Sequence, residues 1–394
     1  MPWQPESTMQ LRRQFIQDVR SGTAAITELC AAYGISRETG YKWLRRYEAG
    51  GLAALRDQSR RPHASPTATP PVLIRALVEA RRHHPTWGPR KLLRLLQQQD
   101  TAAPWPARST VARLLQRAGL VVSPRRVRRP GHAGRPQAPM DAPNAVWTAD
   151  FKGQFKTGDG AYCYPLTIAD GYSRCLLSCR ALMSTQVAES RPVFVHAFEQ
   201  YGMPARIRSD NGVPFATQAL GRLSPLSVWW VRLGILPDLI QPACPQQNGR
   251  HERMHRTLKA ECTRPASPSR RAQQRRFDRW RAEYNELRPH EALGDATPAA
   301  HYTPSPRAYP HRLPALEYPA HYEVRRVSRN GGIRWDHQWV NVTHTLGGER
   351  IGLTEIDEGE WDVYFGPLRL GRFHERTYLI EDALGRQQRR RPHP

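Results

Sequence analysis

Residues 146–170 read VWTADFKGQFKTGDGAYCYPLTIAD. Two runs rich in β-branched and aromatic residues flank the turn sequence TGDG, and this predicts an antiparallel pair of strands. A third strand-like run, RCLLSCRAL, follows the turn sequence GYS. Asp150 lies inside the first of these strands. Because strand interiors normally disfavour aspartate, we expect this residue to have a specific role.

The sequence after these strands alternates between helical and extended patterns. A helical pattern over 185–202 precedes the short strand ARIRSD, the helix LSVWWVRLG and the short strand PDLIQ. Two more helices are predicted over 247–263 and 269–286. Three strands followed by alternating helices and strands predict a mixed α/β sheet, which we place in a domain spanning 146–303.

Three acids lie at the ends of elements in this domain. Asp150 is in the first strand, Asp210 ends the fourth strand in RSDNGVPF, and Glu252 begins a helix after QNG. Mg²⁺ binds a few carboxylates and completes its shell with water and phosphate oxygens. Two such ions about 4 Å apart can activate an attacking oxygen and stabilise a leaving oxygen in phosphoryl transfer. The three acids therefore predict a metal site in an otherwise basic chain.

Five motifs in order carry a family resemblance. They are WTADFKG, IADGYSR, RSDNGVPF, PQQNGRHERMHRTLK and YNELRPHEALGDATP. The set resembles the DDE integrases and transposases, which have a retroviral-integrase-like core of the RNase H type. With the N-terminal helices described below, the chain looks most like the bacterial insertion-sequence transposases. The resemblance extends over nearly the whole chain and is strongest over 145–303.

The resemblance implies a catalytic and metal-binding triad of Asp150, Asp210 and Glu252, holding two Mg²⁺ ions that Mn²⁺ can replace. In that family the site hydrolyses the phosphodiester at each end of the element, which frees a 3′-OH. The same site then joins the 3′-OH to target DNA. Family members work as multimers, at least a dimer on paired ends. The route of transposition, by excision or through a copied intermediate, stays open.

The helix that begins near Glu252 has two basic faces. At about 100° per residue, Arg256 and Lys259 lie within about 40° of Glu252, whereas Arg253 lies about 100° away. We therefore expect Arg256 and Lys259 to contact DNA and Arg253 to matter less. The resemblance implies further DNA contacts at Gln247 and Asn248.

The spacing between the acids and two further aspartates need separate interpretation. The gap between Asp210 and Glu252 is longer than the family's usual spacing, and we place the extra residues around 221–230. Asp159 and Asp170 lie in turn sequences, so we interpret both as turn residues rather than metal ligands.

The N-terminal region predicts DNA recognition. Residues 26–47 read ITELCAAYGISRETGYKWLRRY. Gly34 ends one helix and Ser36 can cap the next, which is a helix-turn-helix pattern within a domain at 9–55. Its second helix offers DNA contacts at Lys42, Arg45 and Arg46.

Further helical patterns predict a second DNA-binding domain at 70–121, with a helical scaffold or dimerisation unit as the alternative. Residues 122–145 predict an extended basic linker along phosphates. Its candidate DNA contacts are Arg125, Arg126, Arg128 and Arg129.

The sequence of the C-terminal region predicts a different fold from that of the α/β domain before it. Short β runs separated by NGG, LGG and DEGE over 318–380 predict a small antiparallel barrel of the SH3-like kind. Residues 381–394 form a basic tail that we expect to be disordered. For the motif at 284–298, we favour a structural clamp over DNA contacts by Arg288, Pro289 and His290.

Composition favours a polyanionic partner. The chain has 394 residues, with 59 Lys and Arg against 35 Asp and Glu and a formal net charge of +24. Such an imbalance favours nucleic acid first and an anionic membrane surface second, and the resemblance implies that the nucleic acid is double-stranded DNA. No apolar run approaches the roughly 20 residues of a membrane span, and no signal peptide is visible, so we expect a cytoplasmic, nucleoid-associated bacterial protein without membrane contact. The six cysteines form no CxxC pair and predict buried thiols rather than a zinc site.

Two other functions remain compatible with parts of this pattern. A DNA-binding regulator with an inactive core would suit the basic charge but has no use for three acids. A nuclease that does not join strands would use the acids but has no need of two N-terminal recognition domains.

Overall fold

The structure is a computed structural model that describes residues 7–58, 68–121, 138–241, 244–382 and 385. The chain divides into two compact units, residues 1–69 and residues 70–394. The four arginines of the predicted basic linker lie outside the described residues, as does the tail after Asp382 apart from Gly385. None of the described helices combines the length and the apolar character that a membrane crossing needs.

The first unit contains three helices. They are α1 (Thr8–Ser21), α2 (Ile26–Ala32) and α3 (Arg37–Gly50). Gly34 adopts a φ of 61° between α2 and α3, a conformation that favours glycine. Ser36 Oγ caps α3 by accepting a hydrogen bond from the backbone N–H of Thr39 at 3.2 Å. Phe15 and Trp43 are buried between the helices. The predicted helix-turn-helix is confirmed.

The second unit begins with three more helices. They are α4 (Pro71–His83), α5 (Pro89–Gln99) and α6 (Arg108–Arg117). A core around Trp87 holds them together. Arg90 forms ion pairs with Glu291 at 2.6 Å and with Asp295 at 2.9 Å. These contacts attach the second helical module to the domain that follows it.

A six-stranded mixed sheet forms the centre of the second unit. Its strands are β1 (Val146–Phe151), β2 (Phe155–Lys156), β3 (Tyr162–Asp170), β4 (Leu176–Leu182), β5 (Arg206–Ser209) and β6 (Leu236–Leu239). The order is β2-β3-β1-β5-β6, with β4 also paired to β3. Strand β1 runs antiparallel to β3 and parallel to β5. The predicted mixed α/β sheet is confirmed.

Helices cover both faces of this sheet. They are α7 (Val187–Tyr201), α8 (Pro225–Arg232), α9 (Gly249–Cys262) and α10 (Arg270–Glu286). Helices α7 and α8 share one core with Trp147 and Ala149 of β1. Helices α9 and α10 share another core with Ala169 and Leu176. Because successive strand residues face opposite sides, the α9 face receives Thr148 and Asp150.

The motif at 284–298 is a clamp. Asn285 accepts a hydrogen bond from the backbone N–H of Leu176 at 2.8 Å and donates one to its carbonyl at 2.9 Å, which fixes α10 to β4. Arg288 is buried and pairs with Glu261 of α9 at 2.8 Å. These contacts confirm the structural interpretation for Asn285 and Arg288.

The C-terminal region is antiparallel but does not form the predicted barrel. Its strands are β7 (Glu323–Arg326), β8 (Gly332–Trp335), β9 (Gln338–Asn341), β10 (Arg350–Asp357), β11 (Glu360–Phe365), β12 (Leu368–His374) and β13 (Leu379–Asp382). Five strands pair in the order β13-β12-β11-β10-β7, while β8 and β9 form a separate hairpin. Since β7 and β13 do not pair with each other, this sheet stays open.

The stretch at 221–230 packs against these C-terminal strands. Leu223 and Val228 share a buried core with Phe365 and Leu370. Arg232 of α8 pairs with Glu349 at 2.8 Å. The residues that lengthen the gap between the second and third acids therefore form part of the docking surface for the C-terminal sheet.

Candidate active site

Asp150 occupies the α9 face of β1, at the centre of the sheet. It lies opposite Thr167 in the antiparallel register of β1 and β3. Its side chain is 19% exposed. A partly buried carboxylate does not stabilise a central strand by itself. The groups around Asp150 must therefore stabilise it at this position.

The other two acids approach from neighbouring elements. Asp210 directly follows β5, which is the parallel neighbour of β1. Its carboxylate accepts a hydrogen bond from the backbone N–H of Gly212 at 3.2 Å. Glu252 lies in the first turn of α9 and is exposed. Within the described ranges of the chain, neither Asp210 nor Glu252 forms an ion pair.

The three acids act on one another electrostatically. Burial, reinforced by the charges of Asp210 and Glu252, raises the pKa of Asp150 to about 7. Burial also raises the pKa of Asp210 above its usual range. The charges of Asp210 and Glu252 therefore act on Asp150, and the nearby Lys152 offsets their effect only in part.

Two buried histidines of α9, which the sequence did not reveal, support Asp150. The two ring nitrogens of His251 lie 2.7 Å from the hydroxyls of Thr148 and Thr167. His255 Nε2 lies 2.7 Å from the same Thr167 hydroxyl, and its Nδ1 lies 3.5 Å from Asp150 Oδ2. Burial lowers the pKa of His251 to about 3 and lowers that of His255 as well, so both rings are neutral at neutral pH. This polar network fixes the face of β1 against α9.

Two sets of side chains that include Asp150 could hold a metal ion. Asp150, His251 and His255 offer ligand atoms within 4.8 Å of one another. Both nitrogens of His251 are already engaged by threonine hydroxyls, so a metal bound to either nitrogen would have to displace a hydrogen bond. The three carboxylates instead present unneutralised oxygen atoms, which are the ligands that Mg²⁺ prefers. The carboxylates suit Mg²⁺ better in chemistry, whereas among the described residues the set that meets a separation of 4.8 Å is Asp150 with the two histidines.

Basic side chains lie beside the acids. Lys259 of α9 and Lys152, which directly follows β1, are close enough that Lys259 contributes, after burial, to lowering the pKa of Lys152. The sequence did not single out Lys152, which lies two residues after Asp150. Arg256 and Lys259 are both exposed on α9. Arg253 instead lines a separate cavity with Arg288, in agreement with the helical angle.

The other predicted DNA contacts differ in how exposed they are. Lys42 and Arg45 are exposed on α3. Arg46 is half-buried and donates a hydrogen bond to Gln58 at 3.2 Å. Gln247 exchanges hydrogen bonds with Gln241 at 2.7 and 3.0 Å. Asn248 is only 5% exposed, which leaves little of its side chain to reach DNA.

The two turn acids are structural, as predicted. Asp170 is buried and accepts hydrogen bonds from the backbone N–H groups of Asn144 and Ser173 at 2.8 Å. Asp159 accepts hydrogen bonds from Thr157 at 2.6 Å and from the backbone N–H of Ala161 at 3.2 Å. Both carboxylates stabilise turns of the strand connections.

Comparison with known proteins supports the resemblance. Residues 233–298 match the Integrase core domain, residues 11–63 a Helix-turn-helix domain and residues 39–115 a Homeodomain-like domain. An uncharacterized 31.7 kDa protein of insertion element IS407 from Burkholderia multivorans is 29% identical over 242 residues, which are 60% of this chain and 82% of that protein. A second relative is an uncharacterized 39.2 kDa protein of insertion element IS476 from Xanthomonas euvesicatoria, 28% identical over 63% of this chain and 69% of that protein. Together these matches support an insertion-sequence transposase with an integrase core.

The integrase-core match supports a polynucleotidyl transferase, and the helix-turn-helix matches support DNA binding. The integrase-core match includes Glu252 and the clamp, whereas Asp150 and Asp210 precede it. Among solved structures, the simian T-cell lymphotropic virus intasome in complex with a PP2A regulatory subunit aligns with 74% of this chain and 97% of that chain, at 18% identity and a TM-score of 0.36. The HTLV-2 integrase catalytic core in complex with magnesium aligns with 41% and 97%, at 18% identity and a TM-score of 0.33.

Proposed function

We propose that this transposase frees 3′-OH ends at the terminal repeats of its insertion sequence and joins them to target DNA at a site formed by Asp150, Asp210 and Glu252. The supporting observation is the raised pKa of Asp150 beside two other carboxylates. A pair of Mg²⁺ ions, or Mn²⁺ in their place, would neutralise this group. Bound there, the ions would supply Lewis-acid stabilisation and an activated oxygen nucleophile.

The chain's own residues would position the reacting groups. The network of Thr167 and His255 holds Asp150 against α9. Strand β5 and the Gly212 N–H orient Asp210. Lys259, on the exposed side of α9 and close to Lys152, would bind phosphates next to the scissile bond, with Arg256 assisting.

The N-terminal domains would select the DNA. We assign residues 9–55 to recognition in the major groove through Lys42, Arg45 and Arg46 of α3, and residues 70–121 to a second contact. The linker at 122–145, with Arg125, Arg126, Arg128 and Arg129, would follow the backbone between them and the core at 146–303. Joining two ends requires at least a dimer. The function would be carried out on DNA in the bacterial cytoplasm.

Incubation of the full chain with a labelled duplex that carries the element's terminal sequence tests this proposal. With Mg²⁺ or Mn²⁺, the wild-type protein should give a nick and then a joined product, and Glu252→Gln should bind the duplex and give neither. Asp159→Asn is a matched control, because it removes an exposed turn carboxylate outside the site. Binding without products would favour a DNA-binding regulator, and nicking without joining would favour a nuclease.

A further inference from the structure

A cavity of about 260 Å³ lies between the second helical module and the catalytic core. Its walls come from α5, from the turn between β3 and β4, from α9 and from the segment after α10. Five cations line it, namely Lys91, Arg174, Arg250, Arg253 and Arg288. It lies on the Arg253 side of α9, about 100° around the helix from Glu252.

The acids near this cavity are engaged elsewhere. Glu291 pairs with Arg90 at 2.6 Å, and Arg90 is outside the lining. The Asp170 carboxylate is occupied by the backbone N–H groups of its own turn and of Asn144. Arg288 has an anionic partner, Glu261, at 2.8 Å.

Four of the five cations are left without a partner of opposite charge. Among the residues that the structure describes, Lys91, Arg174, Arg250 and Arg253 form no ion pair, although Arg250 donates a hydrogen bond to the Gly171 carbonyl at 2.7 Å. Grouping like charges in a partly buried space is unfavourable, and folded proteins normally disperse such charges to water or pair them.

Two polar atoms at the cavity lack hydrogen bonds, and the cations around them repel one another. The Nε atom of Arg174 and the Nε2 atom of His290 are buried without a hydrogen-bond partner. Burial and the charges of Arg288 and Arg253 lower the pKa of Lys91 to about 8. Burial and the surrounding cations, Lys91 first among them, also lower the pKa of His290 to about 3. An anion in the cavity would relieve both effects.

We propose that this cavity is a binding site for a phosphate group, supplied either by the DNA backbone or by a free phosphate compound. Guanidinium groups match phosphate oxygens with charge-assisted hydrogen bonds, and Arg174 and Arg253 are free to make them. Because α5 and α9 both contribute walls, a phosphate bound here would link the second helical module to the helix that carries Glu252. The site concerns binding alone and does not require the carboxylates to be catalytic.

The first test measures a free phosphate compound directly. The melting temperature of the full chain is recorded without divalent metal at constant ionic strength, with and without inorganic pyrophosphate. Pyrophosphate should raise the melting temperature of the wild-type protein, and this rise should be lost in Lys91→Gln and in Arg174→Gln. Arg275→Gln, an exposed change on α10 with the same loss of charge, should keep it.

The free protein provides an internal check. Lys91→Gln removes a cation that its neighbours repel, so the unliganded variant should melt at or above the wild-type temperature. A lower melting temperature without pyrophosphate would mean that Lys91 stabilises the fold through an anion already present in the chain, and this would overturn the proposal.

The second test uses DNA and again needs no metal. Duplex binding is measured by fluorescence anisotropy over a range of salt concentrations. Removal of one cation that binds a backbone phosphate should reduce the slope of log K against log salt by about 1. If Lys91→Gln and Arg174→Gln reduce the slope and Arg275→Gln does not, the occupant is a backbone phosphate. If only the pyrophosphate effect is lost, the occupant is a free phosphate compound. If both variants match Arg275→Gln in both tests, the cavity is not a phosphate site.

Discussion

Replacing Asp150 with asparagine should stabilise the metal-free protein above neutral pH. The pKa of this carboxyl is about 7 in the fold, against an ordinary value of 3.8. The folded state therefore holds the proton more tightly than the unfolded state, and folding becomes less favourable as the pH rises from about 4 to about 7. Roughly 3 pKa units correspond to at most about 4 kcal/mol in the free energy of unfolding. Asp150→Asn should remove this loss.

Urea unfolding in EDTA at acidic pH and at pH 8 measures the effect as a difference between Asp150→Asn and wild type. The gain from the substitution should be small in acid and should approach its full size at pH 8. Asp159→Asn is the opposite case, because hydrogen bonds from Thr157 and the backbone lower the pKa of Asp159. That variant should lose stability at pH 8. A gain for Asp150→Asn that does not change with pH would refute the electrostatic reasoning.

Three other substitutions test separate parts of the structure. Thr167→Val removes the hydroxyl shared by two buried histidines and should lower the free energy of unfolding by about 1–3 kcal/mol in urea titrations. Thr167→Ser keeps the hydroxyl and should stay near wild type. Equal losses in the two variants would show that the hydroxyl does not stabilise the fold. Gly221→Ala places a Cβ 2.8 Å from a side-chain atom of Leu370 at a φ of +64°. It should lower the melting temperature more than Gly348→Ala, where φ is +89° but no atom lies within 4 Å of the added Cβ. Equal melting temperatures would show that the contact with Leu370 adds no destabilisation. Lys259→Ala should slow strand joining at saturating DNA more than Arg253→Ala does, because Lys259 shares the face of Glu252 and Arg253 does not. Equal losses in the joining assay would contradict the two-faced helix.

The sequence predicted the elements of the core well because local signals and tertiary packing agree there. The turn sequence TGDG lies between β2 and β3, and Met254 and Leu258 are buried on the side of α9 opposite Glu252. Asp150 could be singled out because strand interiors disfavour aspartate, whereas Asp210 and Glu252 were predicted from the motifs that contain them.

Other features depend on partners distant in the sequence. His251 and His255 look like members of a basic run, and only the fold shows that Thr148 and Thr167 face them. Asn248 was predicted to contact DNA, but the fold buries its side chain. The helical angle separated Arg253 from Glu252 correctly, yet the cations opposite it come from other elements. The barrel prediction was wrong because turn signals reveal hairpins but do not reveal whether the two edge strands pair.

The buried core between the stretch at 221–230 and the C-terminal sheet restricts which segments can be exchanged between related transposases. Val228 and Leu370 are far apart in the chain but are buried in the same core. Exchanging the C-terminal strands between relatives would expose one half of this core unless the stretch before α9 were exchanged too. Over evolution, the two segments should therefore change size and apolar character together, and chimaeras that divide them should be the ones that aggregate.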